Sequence, residues 1–223
     1  MKSTLEQEKI KTVLSPARLS TYENACDTIP EALELYQWNA NVSGAFLPCL
    51  HICEVAIRNA ISEVLFKVHG QRWAWEMGFI RTLPNPRRGY SAKENLEYVG
   101  KKFNNVNKIV PEMNFVFWQG MFTARYDNSL WLPHFKDTFG NANCSLGVAV
   151  LRASMYKDLE MIRKLRNRIA HHEPIFQKDL LASYQTIIEI VGYRCCATSQ
   201  WLENNETVLE LINNRPIFNS IAT

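Results

Sequence analysis

The stretch Lys164 to Phe176 reads KLRNRIAHHEPIF and places two of the chain's five histidines at the end of its most basic segment. His171 and His172 change charge near neutral pH, so either can take or give a proton under ordinary conditions. Arg166 carries a fixed charge on a planar fork of donors that fits the oxygens of a phosphate. Asn167, beside it, can orient a histidine or hydrogen-bond a ligand. These are the parts for acid–base chemistry on an anionic group. Residues 161–172 hold Arg163, Lys164, Arg166 and Arg168 and no acid. An anion needs such cations here, because a helix C-terminus carries partial negative charge and favours protonated histidine, not phosphate. Basic residues in a last helical turn are also what capping alone favours. Arg166 has a histidine five and six residues on, and that spacing does not choose between His171 and His172.

The helical period positions these groups. At about 100° per residue, Leu151, Met155, Leu159, Ile162, Leu165 and Ile169 fall on one narrow face, the expected core contact. Tyr156, Glu160, Arg163, Asn167 and His171 form a second stripe roughly opposite, so Asn167 and His171 are neighbours on the helix surface. Arg166 lies at the border of the apolar face, where its stem can cover apolar surface while its head reaches outward. Glu173 precedes Pro174, which disfavours the α conformation at Glu173. A helix from about Val148 should therefore end near His171 or His172. A second helix is expected from about Gln177 to Leu202, antiparallel to the first across a short connection, with a short one near Val208.

The same period dominates upstream. Ile29 to His69 carries few breakers beyond Gly44 and Pro48, and Phe46, Leu50, Cys53, Ile57, Ile61, Val64 and Val68 make one helical stripe. Asn85 to Ser91 reads as a loop, with Ser91 and Glu94 placed for a capping box. Pro111 suits the first position of a helix that runs to Phe122. Phe139 to Gly147 reads as a loop. No alternating strand pattern appears. The expected fold is all-α, with about six to eight helices around one core in a single domain over residues 1–223.

Composition narrows the classes. The 223 residues are 47% hydrophobic, enough for a sizeable core, and the formal charge of +3 neither demands nor excludes nucleic acid. The start MKSTLEQEKIK lacks the apolar stretch of a secretion signal, and no run of about 18 apolar residues is free of charge, so neither export nor a membrane span is expected. The six cysteines have no zinc-ribbon or CxxC spacing, and reduced, mostly buried thiols in a cytoplasmic protein are expected. No acidic, histidine or cysteine set has metal-ligand spacing, and no Gly-rich phosphate loop is present, so no cofactor is expected.

The pattern LRNRIAHHEPIF resembles the signature of the Abi-like (abortive infection) family of the HEPN ribonuclease superfamily. Three further stretches look like that family in the same order: Ala32 to Ile61, Phe115 to Asp127, and LWLPHF at Leu130 to Phe135. The superfamily motif maps onto Arg166, Asn167 and His171. The resemblance implies an all-helical, often dimeric protein and, in many members, metal-independent RNA cleavage in phage defence. Some relatives are toxins restrained by a protein antitoxin or a non-coding RNA, and some HEPN domains bind RNA or a regulatory partner without cleaving.

RNA carries its own nucleophile, the 2′-OH. In-line attack needs a base for that proton, an acid for the leaving 5′-oxygen and a cation for the charge gathering on phosphate. His171 can be the base or the acid, and Arg166 the cation. One histidine cannot conveniently be both, and His172 lies about 100° away around the helix, so the expected site is composite, across a homodimer. Arg163, Lys164 and Arg168 are expected to bind RNA. Glu54 and Arg58, four apart on the apolar helix, are expected either to form an ion pair that fixes packing or, as the resemblance suggests, to position the cluster together with His172. Phe115, Phe117, Trp118 and Phe122 could stack bases but at helical spacing read as core. Residues 85–110 carry Arg87, Arg88, Lys93, Lys101, Lys102 and Lys108 against Glu94 and Glu97, a solvated face or an RNA-backbone track. His51, His69 and His134 read as structural.

Overall fold

A computed structural model describes residues 4–218. They form twelve α-helices, with short 3₁₀ and π turns between some of them and no strand among the described residues. The helices are α1 (Thr4–Leu14), α2 (Pro16–Glu23), α3 (Ile29–His69), α4 (Met77–Thr82), α5 (Ala92–Lys102), α6 (Val106–Ile109), α7 (Phe115–Gly120), α8 (Leu132–Thr138), α9 (Val148–Ala170), α10 (Leu180–Arg194), α11 (Cys196–Glu203) and α12 (Val208–Asn213). The count exceeds the six to eight expected because several connections contain single helical turns that are too short to show a periodic stripe.

α3 is the spine. Its start is defined by a capping box, in which Thr28 accepts from the Glu31 N–H while the Glu31 carboxylate accepts from the Thr28 N–H. It ends at Gly70, whose φ of 79° is open to glycine at little cost. The expected stripe is buried from Phe46 to Val64, and it extends back through Val42, Asn39 and Leu35. By length and composition α3 is also apolar enough to cross a membrane. In this fold its apolar face forms the centre of the core, packed by α2, α7, α9, α10 and α12.

A second part of the core is aromatic. Phe117, Trp118, Phe122, Trp131, Phe135 and Phe139 are all buried, and Phe122 stacks on Trp131 at 4.6 Å. The run at 115–122 is thus core, as its spacing implies. Arg152 ties α9 to this layer by bonding both oxygens of Asp127 at 2.8 and 3.0 Å.

Several boundaries differ from the sequence expectation. Pro111 opens only a 3₁₀ turn, and α7 starts at Phe115 because Met113 and Asn114 are extended. Ser91 caps α5 by accepting from the Glu94 N–H, but its hydroxyl donates to Asn85 and no reciprocal bond from Glu94 completes a box. The helix after Pro174 begins at Leu180, capped by Asp179, and breaks at Cys195, which is extended. Arg194, just before the break, is held by Glu63 and the Thr138 carbonyl. The six thiols are free, but only Cys49 and Cys53 are buried, and burial pushes both up to about 12. Cys196 is exposed, so mostly buried thiols is corrected.

Candidate active site

α9 buries the predicted face, Leu151, Met155, Leu159, Ile162, Leu165 and Ile169, and leaves the RNRIAHH end at the surface. It closes in a Schellman motif. The His172 N–H donates to the Ile169 carbonyl at 3.0 Å and the Glu173 N–H to the Arg168 carbonyl at 2.8 Å. His172 occupies the left-handed position of that motif with φ 55°, a place usually taken by glycine. The left-handed residue turns the chain out of the helix before Pro174.

The turn is anchored from outside α9. Asn39, buried in α3, accepts from the N–H groups of Ile175 and Phe176 at 2.8 and 3.1 Å. Arg18 in α2 donates to the His172 carbonyl at 2.8 Å. Arg168 donates twice to the Pro174 carbonyl, at 3.1 and 2.8 Å, and pairs with Glu173 at 3.2 Å. The Phe176 ring is buried against Tyr22 at 5.1 Å, and burial raises the Tyr22 phenol to about 12. Neither Asn39 nor Arg18 was singled out from the sequence. Asn39 had a readable signal, a polar residue at a position where the α3 stripe requires an apolar one.

What remains at the surface is the motif itself. His171 is exposed at the helix end, with its backbone N–H bonded to the Asn167 carbonyl at 2.9 Å. Arg166 is exposed, and its one protein acceptor is the Asn167 side-chain oxygen at 3.4 Å, a long contact. Both guanidinium and imidazole are therefore open to solvent and to a ligand.

The other expected residues divide. Lys164 and Arg168 line a cleft of about 470 Å³ between α9 and α10, together with Lys157 and Lys178. The antiparallel hairpin forms this cleft, and Ser183 on α10 bonds the Met161 sulfur across it. Lys164 also pairs with Glu160 one turn earlier. Arg163 does not join them. Its Nε donates to the side chain of Gln119, a buried residue of α7, at 2.8 Å, so it ties α9 to the core.

Glu54 and Arg58 form no ion pair, and no bond links either to Arg166, Asn167 or His171 among the described residues. Arg58 lies nineteen residues beyond Asn39 on α3, about 28 Å along the helix axis. It opens instead into a cavity with Asn59, Ser62 and Asn107. Neither residue positions the motif by contact. His172 does so, through its backbone.

Comparison with protein-family models, with curated proteins and with solved structures finds no match to this chain.

Proposed function

We propose that the chain is a metal-independent endoribonuclease of the HEPN type, similar to the Abi-like family, that acts in abortive infection or as a toxin. The observation that carries this reading is the selective exposure of the motif. Arg18, Arg163 and Arg168 are engaged by protein oxygens, whereas Arg166 and His171 stand open at the end of α9 beside Asn167.

In the proposed reaction a histidine takes the proton of a 2′-OH, the 2′-oxygen bonds to the adjacent phosphorus, and the bond to the 5′-oxygen breaks. A second acid protonates the departing oxygen. The products are a 2′,3′-cyclic phosphate and a 5′-OH. Arg166 holds the phosphate oxygens as charge gathers on them. The partner subunit's His171 in a two-fold dimer supplies the second proton-transfer group, because one histidine does not conveniently serve as base and acid in one step. The cleft lined by Lys157, Lys164 and Lys178 lies on the hairpin side of α9 and can attract the flanking backbone.

The test is cleavage of end-labelled RNA in excess EDTA, with the ends mapped chemically, beside Arg166→Ala and His171→Ala. Cyclic-phosphate ends from the wild type and not from the variants support the reading. A chemical step that requires added metal overturns it. RNA binding without cleavage in all three would assign the chain to the non-catalytic HEPN modules.

A further inference from the structure

Three adjoining cavities line the far end of α3. The first, of about 440 Å³, contains Arg58, Asn59 and Ser62. The second, of about 860 Å³, shares Ser62, Glu63 and Asn107 with the first and adds Phe66, Lys67, Arg72, Trp73 and Trp75. The third, of about 490 Å³, shares Arg72, Trp75 and Asn104 with the second and reaches Lys101, Lys102 and Lys108. The shared residues make them one continuous groove. Ser62 is twenty-three residues beyond Asn39, about 35 Å along α3, so this groove is separate from the end of α9.

Its chemistry is one-sided. Arg58, Lys67, Arg72, Lys101, Lys102 and Lys108 line it, and Glu63, its one carboxylate among the described residues, is paired with Arg194. Among the described residues, none of those six cations forms an ion pair with a protein carboxylate. Arg72 lies over the Trp75 ring at 4.8 Å, and Lys102 over the ring of exposed Tyr98 at 4.1 Å. Two donors here are buried without an acceptor, the Arg58 Nε and the indole Nε1 of fully buried Trp73. Phe66 is 54% exposed within the groove and offers a flat apolar face. Asn59, Asn104 and Asn107 add amides that can meet base edges.

We infer that this groove is a binding track for single-stranded nucleic acid. The cations meet the phosphates, the exposed Phe66 face stacks a base, and amides contact base edges. A duplex keeps its bases stacked away from such faces. An acidic peptide would meet the cations but leave the aromatic faces and amides without a role. The inference does not depend on catalysis at Arg166 and His171.

The experiment uses the full chain and a fluorescein-labelled 2′-O-methyluridine dodecamer, which cannot undergo 2′-OH attack, read by fluorescence anisotropy. Lys101→Ala/Lys102→Ala, both exposed, should weaken binding at least tenfold and flatten the salt slope by about 0.7 per cation removed. Arg58→Gln and Phe66→Ala should each weaken it several-fold, with thermal melts to verify folding. The inference is overturned if the wild type does not bind at low salt or if the lysine pair changes nothing. It is also overturned if duplex RNA or polyglutamate of equal charge competes as well as the single strand.

Discussion

At the Asn39 end of α3, the guanidinium groups of Arg18 and Arg168 close on backbone carbonyls of the turn after α9. At the Arg58–Gly70 end, the cations face cavities and aromatic rings, and Arg58 has no protein acceptor. The difference separates two uses of the same side chain. An arginine whose donors are matched by protein oxygens fixes a conformation. One whose donors are unmatched at the rim of a cavity stays free to meet water or a ligand. At the motif end that leaves Arg166 and His171 exposed at the end of a firmly anchored helix. At the other end it leaves an extended basic track.

The comparison can be broken most directly at His171. His171→Ala should lower single-turnover RNA cleavage by about 10²–10⁴-fold, while the affinity of the methylated dodecamer stays at its wild-type value. If both fall together, the two regions are one site. Asn39→Ala comes next. It leaves the Ile175 and Phe176 amides buried without an acceptor, at about 1–3 kcal/mol for each. Urea unfolding should show that loss, with the groove's affinity kept in the folded fraction.

His172→Gly sharpens the choice within the histidine pair. The residue sits at φ 55°, so glycine should stabilise the fold by up to about 1 kcal/mol and leave cleavage nearly unchanged. A fall in cleavage as large as that of His171→Ala would move the proton transfer to His172.

The smallest effect is at Glu76, which caps α4 beside the groove. Two backbone N–H groups, of Gly78 and Phe79, hold its carboxyl below the ordinary value of 4.5, and His69 lies 3.4 Å away. A depressed carboxyl contributes stability that is fully present above its unfolded value and lost as the pH falls through its folded one. Glu76→Gln should therefore be less stable at neutral pH, and the gap should close in urea melts taken at pH values progressively below about 4.5. A gap constant with pH would show that charge at this cap is irrelevant.

Much of the fold was legible where the pattern is long and local. The stripes of α3 and α9, the end of α9 before Pro174 and the all-helical class follow from residue spacing. The short helices α4 and α6 were not legible, because one or two turns carry no period and their ends are set by single caps; α7 was legible, but its start was read four residues early. The break at Cys195 was hidden for a related reason: the sequence from Leu180 to Leu202 contains no proline there, and tertiary bonds to Arg194 accompany the kink. Within the candidate site, Asn167 and His171 were correctly placed on one polar stripe. The tie from Arg163 to α7 was not legible because its partner, Gln119, is forty-four residues away in the chain. Glu54 and Arg58 were joined by helical spacing, yet they form no pair.

By itself the sequence determined that α9 presents one apolar and one polar face, that it stops at the histidines, and that basic side chains gather there. Those are properties of neighbouring residues and of a fixed helical rise. Tertiary structure decided which cations remain free. That depends on oxygens brought in from α3, α7 and the turn after α9. It also joined Arg58, Arg72 and Lys101, which are distant in the chain, into one groove, because helix packing determines which side chains converge there.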